Sequence, residues 1–493
     1  MFSPPALGVG MVYFPEFETF FELEESKLDL LEVEPQTHWT RSGGSLTLNE
    51  RSFSKLNHLR QRKLVHGVGM PLATTLAFDP QQFDPWRESI KRLQPPWLSE
   101  HLAFMRVPDP SQRLGSVHSG FLLPALQSRD MVALAAEQIR TLQHISGVPV
   151  AFETSPNYLR PQRGELVDGE FYARVAEQAD CGILLDLHNL WCNERNGRQT
   201  MREVLRCLPI ERVWEIHLAG GEQYNGYYLD AHSDLVPTQI LDVCEEWMPK
   251  LPNLGALIFE IMPDYVHAKK LGHEDLAGQI EVMRALWFRH RHTSNGRDSV
   301  SLDNSFSVRE PHYRRASISP DRVQSHDWEL ALGSLVNRRA VPPGVPHFDL
   351  GTDPGVEVLA SLVDSFRAGT LAEGLTLSYR LLVLTLGDEP TSELISEFWL
   401  ENWPQPLASD EIDAFVNFLL DRIATARLTV PFLGNVLDYE LAFARSVQTG
   451  TELWVHFDCE PLALLGSLSR GVAPKNLTHG QYEMYVSAGA SSL

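Results

Sequence analysis

The stretch CGILLDLHN, residues 181–189, joins a short apolar run to a polar end that carries Asp186, His188 and Asn189. Its length and its Ile and Leu content favour a buried strand over a helix. Seven similar runs occur in the first half of the chain, which makes eight predicted strands. The other seven are LGVGMVYF (7–14), LLEVEPQ (30–36), KLVHGVGM (63–70), WLSEHLAF (97–104), VPVAFET (148–154), RVWEIHLAG (212–220) and LGALIFEI (254–261).

Longer segments of helical periodicity separate these runs. Two examples are RDMVALAAEQIRTLQHI (129–145) and GEFYARVAEQA (169–179). Alternation of short apolar strands with helices predicts β-α-β units, and eight of them within about 250 residues are typical of a closed barrel. No Gly-rich phosphate-binding turn follows the first strand, which disfavours an open doubly wound sheet. We therefore predict an α/β fold, a (β/α)8 TIM barrel.

The second half of the chain differs in composition. Residues 1–288 form the predicted barrel domain, and the polar, basic segment 289–322 is predicted to be a flexible linker. Residues 323–493 regain helical periodicity, in segments such as SELISEFWLENW (392–403). One strand-like run, TELWVHFD (451–458), precedes a final predicted helix. We predict a second, mostly helical domain there.

The overall charge and the cysteines limit the classes of function. A formal charge of -22 argues against a protein that binds nucleic acid through its phosphates. The five cysteines are odd in number and include no CxxC pair, which is typical of a reduced, cytoplasmic protein. Neither a signal peptide nor an apolar run long enough to span a membrane is evident. We expect a cytoplasmic protein without a nucleic-acid or membrane partner.

Potential metal ligands stand at the ends of most predicted strands. The C-terminal ends of the strands of a β/α barrel converge on one pocket, where active sites lie. Asp230 and His232, after the seventh strand, would share a face if the chain is extended there. The second strand offers Glu32 or Glu34. The remaining candidates are His66, Glu100, His101, Glu153, Asp186, His188, Asn189, His217 and Glu260.

A single histidine or carboxylate at a strand end is more often a hydrogen-bonded structural residue than a ligand. Six strands with such ends make that interpretation weaker, because converging buried carboxylates need compensating cations. Imidazole and carboxylate ligands leave iron, manganese and catalytic zinc open. Ligand types alone do not choose between oxygen chemistry and hydrolysis.

Seven motifs, in order, resemble those of a known family. They are HGVGM (66–70), SEHLAF (99–104), FETSPNYL (152–159), LLDLHNL (184–190), EIHLAGG (215–221), DAHSDLVP (230–237) and FEIMPD (259–264). This set is similar to the DUF692 family of multinuclear non-heme iron-dependent oxidative enzymes, which includes the methanobactin biosynthesis oxygenase. The resemblance covers residues 7 to about 286.

The resemblance implies a β/α barrel with two or three iron ions that uses O2 to modify ribosomally made precursor peptides, frequently at cysteine. It implies no organic cofactor. Asp186 would lie close to the metals as a further ligand. The residues implied to act in catalysis are His66, His101, Glu153, Asp186, His217 and Glu260. The implied ligands are His66, His101, Glu153, Asn189, His217, Asp230, His232 and Glu260.

Four positions depart from the family's pattern. Thr154 and His188 stand where the family commonly has Asn, and Gln36 and Thr37 replace a Glu-Asn pair. These replacements leave the implied ligand set intact and change its surroundings. They put the identity of the modified residue and the third metal in doubt.

The C-terminal half has a weaker resemblance, through HDWELALGSLV (326–336) and WVHFDCEPLALLGSLSRG (454–471), to partner proteins that bind the leader of the precursor. It implies a natural fusion of an oxidase with a leader-recognition domain. An unrelated helical module for docking or dimerisation is the alternative for this half.

Two other functions compete for the barrel. One is a divalent-metal hydrolase or isomerase of the endonuclease IV and xylose isomerase type, although the motifs here are flanked mainly by apolar and acidic residues. The other is an inactive, metal-stabilised scaffold that binds peptide, and Thr154 and His188 are the residues that would support it.

Overall fold

A computed structural model describes residues 2–42, 44–109, 115–294, 320–346 and 348–487. Its strands are β1 Gly8–Val12, β2 Leu30–Val33, β3 Trp39–Ser42, β4 Ser45–Leu48, β5 Arg62–Gly67, β6 Leu98–His101, β7 Phe104–Pro108, β8 Ser116–Leu123, β9 Val150–Glu153, β10 Gly182–Asp186, β11 Val213–Tyr224, β12 Tyr227–Asp234, β13 Ala256–Glu260, β14 Leu453–Cys459 and β15 His479–Val486. Its helices are α1 Glu18–Leu23, α2 Glu50–Leu56, α3 Phe83–Leu93, α4 Arg129–Ser146, α5 Asp168–Ala179, α6 Leu187–Arg195, α7 Met201–Cys207, α8 Thr238–Trp247, α9 Pro263–Lys269, α10 His273–Ser294, α11 Pro320–Val336, α12 Pro354–Gly374, α13 Thr376–Leu386, α14 Asp388–Glu401, α15 Ala408–Ala424, α16 Leu433–Thr449 and α17 Pro461–Ser469.

Eight parallel strands close into a barrel, and the predicted fold is confirmed. Their order is β1-β2-β5-β6-β9-β10-β11-β13, and β13 pairs with β1 to complete the circle. Each of the eight apolar runs in the sequence overlaps one barrel strand. The strands are buried on both faces, which explains why they read as continuous apolar runs instead of alternating ones.

The described residues group into two compact units. The barrel unit comprises Met1–Pro110, Leu122–Gly333 and Val341–Val358, and the second unit comprises Ser111–Phe121, Ser334–Ala340 and Leu359–Leu493, as far as these ranges are described. A functional division at residues 288 and 323 stays a prediction. Of the predicted linker, residues 295–319 lie outside the described part, while α10 and α11 extend into its two ends.

The second unit is mainly helical, as predicted, and is built around an apolar core that includes Phe398, Phe415 and Phe418. It also holds a two-stranded antiparallel sheet of β14 and β15. The sequence predicts only the first of these strands. The residues of β15 are mostly exposed, so no apolar run marks it in the sequence.

None of the helices in the described ranges is long and apolar enough to cross a membrane. All five cysteines are unpaired, and only Cys207 is exposed.

Candidate metal centre

The register of the barrel strands places the candidate ligands side by side at the C-terminal ends of the strands. His101 pairs with Glu153 across β6 and β9, and Asp186 pairs with His217 across β10 and β11. Because parallel strands end on the same side of a barrel, their terminal side chains converge. Five overlapping groups of three residues have ligand atoms within 4.8 Å of one another. They are His66, His101 and Glu153; Glu153, Asp186 and His217; Glu32, His217 and Glu260; Asp186, His232 and Glu260; and His188, Asp230 and His232.

The first group lies at the ends of β5, β6 and β9. Oε2 of Glu153 is 3.0 Å from Nδ1 of His101 and 3.3 Å from Nε2 of His66. Nδ1 of His66 lies 2.8 Å from the hydroxyl of Ser99, which itself lies within reach of the Val65 carbonyl at 3.4 Å. If Ser99 donates to that carbonyl, it accepts the Nδ1 proton of His66. The Nε2 lone pair of His66 is then free to bind an ion.

The second cluster surrounds His217, which is completely buried. Its Nδ1 lies 3.2 Å from Oε2 of Glu260, and its Nε2 lies 2.8 Å from Oε2 of Glu32. A second buried carboxylate, Glu215, lies 3.7 Å from Nε2 and is held by the indole N–H of Trp97 at 3.0 Å. His217 therefore has carboxylates on both sides of its ring.

Two candidate ligands, Asp230 and His232, lie on a hairpin. β11 extends beyond the barrel and turns back as β12, which carries Asp230 and His232. Oδ1 of Asp230 lies 2.9 Å from Nε2 of His232, which in turn is 3.3 Å from Oε2 of Glu260. The expected extended segment is present, but His232 has a left-handed backbone with φ of 45°. Such conformations are uncommon for residues other than Gly, and they cluster at functional sites.

Asp186 shares one group with Glu153 and another with His232, and Asn189 contacts Asp186. Asp186 caps α6 by accepting the backbone N–H of Asn189 at 2.6 Å, and the Asn189 amide donates to Oε1 of Glu153 at 2.8 Å. Oδ2 of Asp186 and Oδ1 of Asn189 have no hydrogen-bond partner among the described residues. Thr154, one of the departures from the family pattern, accepts the backbone N–H of Asp186 at 3.0 Å.

Many of these close contacts are not aligned as hydrogen bonds. Within the described chain, Oε2 of Glu153, Nε2 of His232, both ring nitrogens of His217 and both carboxylate oxygens of Glu32 lack a hydrogen-bond partner. Buried polar atoms are seldom left in this state. Lone pairs that approach one another without a shared proton are typical of ligand atoms around a cation, so the donor set fits metal ions.

The protonation of the cluster leads to the same conclusion. Burial, together with the Glu215 carboxylate, raises the pKa of Glu32 to about 8. Burial acts to lower the pKa of His66, but Glu153 and Glu32 outweigh it and raise that pKa to about 10. The buried carboxylates thus draw positive charge, as protons on imidazole or as metal cations.

The structure brings all nine residues proposed as metal ligands to this rim, eight of them within the five groups. Their role as ligands stays a prediction. Glu32 and His188 also belong to these groups, although the sequence offered them only as candidates at strand ends. The carboxylate of Glu100 instead accepts the backbone N–H groups of Met70 and His101.

A model of the family described as RiPP precursor modification enzyme MbnB/TglH/ChrH matches residues 8–277. Similar proteins include a UPF0276 protein of Neisseria meningitidis serogroup B, 29% identical over 246 residues, which are 49% of this chain and 83% of the relative. A UPF0276 protein of Anaeromyxobacter sp. is 27% identical over 232 residues, 46% of this chain and 80% of the relative. A Streptomyces avermitilis UPF0276 protein is 26% identical over 255 residues, 51% of this chain but only 50% of that protein.

Two solved structures match part of this chain with low sequence identity and low TM-scores. Endonuclease IV from Thermus thermophilus is 16% identical with a TM-score of 0.37, over 57% of this chain and 99% of that one. D-psicose 3-epimerase from Clostridium cellulolyticum is 11% identical with a TM-score of 0.35, over 58% of this chain and 99% of that one.

Proposed function

Because this chain belongs to the family of RiPP precursor modification enzymes MbnB/TglH/ChrH, we propose that it uses iron and O2 to oxidise a ribosomally synthesised precursor peptide at a cysteine. The observation that carries the proposal is the set of five groups that share ligands on one rim of the barrel. Shared ligands such as Glu153 are suited to ions that lie close together. Two or three iron ions would occupy the rim.

The residues of the chain would bind and orient those ions. His66, His101 and Glu153 would hold one ion, and His217 and Glu260 would hold another beside Asp186. Asp230 and His232 would serve an outer position, with Asn189 nearby. When bound, ferrous iron supplies the electrons that let O2 react with an organic substrate.

A cysteine target is supported by the types of ligand in the cluster. The five groups contain only His, Asp and Glu in the described part of the chain. The thiol of Cys192 lies 3.9 Å from Nε2 of His188 and is completely buried. A substrate thiolate would thus be the soft donor that the site lacks, and binding it would hold the reacting side chain in place.

The C-terminal half is proposed to bind the leader of the precursor peptide. In support, the sheet of β14 and β15 exposes two large rings, Trp454 and Tyr485, with centroids 5.2 Å apart. His456 and Glu483 pair beside them at 3.2 Å. Exposed aromatic residues of this kind are enriched at recognition surfaces.

The metal and O2 chemistry can be tested directly. The protein is purified without oxygen, its metals are measured, and Mössbauer and EPR spectra are recorded before and after O2 is added. We expect two or three irons per chain whose spectra change with O2. Full occupancy by zinc or manganese without O2-reactive iron would refute the oxidase proposal and favour a hydrolase or isomerase. A chain that binds metals but changes no peptide would favour the inactive scaffold.

The leader proposal is tested with a precursor peptide, which is sought among the short reading frames next to the gene. Binding of this peptide to full-length protein is measured for Trp454→Ala and for a matched control, Leu462→Ala, an exposed residue of α17 in the same unit. We expect at least tenfold weaker binding for Trp454→Ala alone. Equal affinities for both variants and the unsubstituted chain would contradict recognition through this sheet.

A further inference from the structure

The free edge of β12 is completed by side chains. The amide of Asn196 exchanges two hydrogen bonds of 2.9 Å with the backbone of Tyr228. Two residues further along the strand, the backbone N–H of Asp230 donates to the hydroxyl of Tyr158 at 3.0 Å. These contacts fix the strand that carries the outer ligands, because an extended edge otherwise leaves its N–H groups unpaired.

The two histidines beside Asp230 are not equivalent. Each has a ring nitrogen 2.9 Å from Oδ1 of Asp230. Nδ1 of His188 is aligned for a hydrogen bond, whereas Nε2 of His232 is not. His188 therefore donates its Nδ1 proton to the Asp230 carboxylate, whereas Nε2 of His232 makes no aligned hydrogen bond to it among the described residues.

The other nitrogen of His188 fits this assignment. Its Nε2 lies 3.9 Å from the sulfur of Cys192, one turn further along α6. A thiol can donate weakly to an unprotonated ring nitrogen, so this contact is compatible with a proton on Nδ1. His188 is completely buried, which restricts its ring to this orientation.

Tyr158 is in turn seated by a segment from beyond the barrel strands. Asp353 accepts the backbone N–H of Arg160 at 2.8 Å and that of Gly355 at 2.9 Å. Gly355 packs so closely that a Cβ there would overlap the carbonyl oxygen of Tyr158. All of these residues belong to the barrel unit.

We infer that Tyr158 and His188 are positioning residues for Asp230, and that Asp353 and Gly355, at the start of α12, hold Tyr158 in place so that an outer metal position is formed in advance. The inference rests on the proposed metal-dependent function. Its structural alternative is a partly buried Asp230 that pairs with two histidines only for stability.

The test uses ferrous ion alone, without O2 or peptide, on the full-length protein. Tyr158→Phe removes only the hydroxyl, and Gly355→Ala displaces Tyr158 by crowding its backbone carbonyl. The control is Tyr172→Phe, which removes a buried hydroxyl that donates to Ser155 at 3.2 Å, away from β12. Iron is titrated anaerobically and each variant's unfolding temperature is measured.

We expect the weakest-bound iron to lose about tenfold in affinity in Tyr158→Phe and Gly355→Ala, while the tighter ions and the control are unchanged. Equal affinities in all proteins would overturn the inference, as would uniform weakening of every ion together with a lower unfolding temperature. If the chain binds zinc in place of iron, the same titration with zinc tests the inference although the oxidase proposal has failed.

Spectroscopy distinguishes whether His188 positions Asp230 or binds the metal itself. In His188→Ala loaded with ⁵⁷Fe, we expect lower occupancy of the outer position with unchanged Mössbauer parameters for the iron that remains. Changed parameters at full occupancy would show that His188 binds the metal itself and would contradict its assignment as a positioning residue.

Discussion

The Oε2 atom of Glu153 lies 3.0 Å from Nδ1 of His101, its direct partner in the register of β6 and β9. The same carboxylate belongs to two of the five groups, one with the two histidines of β5 and β6 and one with Asp186 and His217. Glu153 would therefore be shared between two of the proposed metal positions.

Replacing this shared carboxylate should affect both positions. Glu153→Gln keeps the size of the side chain and removes its charge, so we expect the loss of at least one metal ion per chain and of turnover. Metal analysis after dialysis measures the loss. The control is Glu170→Gln on α5, whose carboxylate pairs with Arg174 at the surface. Full metal content in Glu153→Gln would show that this residue is not a ligand.

Ser99 should matter through His66. Ser99→Ala removes the oxygen that lies 2.8 Å from Nδ1 of His66, so the ring can rotate or change tautomer. Removing such partners of a ligand typically weakens metal binding about 10-fold to 100-fold. Affinity is measured by competition with a chelator, with the exposed Ser54→Ala as control. Unchanged affinity would mean that packing alone orients the ring.

His38 should make stability depend on pH. Burial lowers the pKa of His38 to about 4, whereas the unfolded chain has an ordinary histidine pKa of about 6.5. The unfolded state therefore takes up a proton first, and the free energy of unfolding falls as pH drops from about 6.5 towards 4, by up to about 3 kcal/mol. Above pH 6.5 the effect is fully absent.

The pH effect is isolated with His38→Phe, which keeps a ring beside Tyr13 and Phe53 but does not titrate. Urea unfolding at pH 7 and pH 5 should give a smaller difference in this variant than in the unsubstituted chain. Parallel pH dependence in the two proteins would show that His38 is protonated equally in both states.

A buried ion pair in the second unit should be sensitive to the loss of one partner. Nε of Arg367 lies 2.7 Å from Glu411, and both side chains are buried. Arg367→Ala leaves a buried carboxylate without its partner, which costs about 3–5 kcal/mol of unfolding free energy. Arg338→Ala, which removes a partly exposed pair with Asp364, should cost about 1 kcal/mol or less. Similar losses in chemical unfolding would contradict this difference.

The sequence alone determined the barrel and the rim of candidate ligands. Buried parallel strands need continuous apolar runs, so the eight strands are visible as composition. The polar residues at the strand ends, such as His66 and Glu260, can also be recognised in the sequence, because they interrupt the apolar runs.

Only the tertiary structure decided how those residues meet. The alignment of His188 with Asp230, the contact of Tyr158 with β12 and the approach of Gly355 to Tyr158 join residues far apart in the chain. A pattern of residue types records burial and periodicity, whereas a hydrogen bond depends on distance and angle between atoms that only the folded chain brings together.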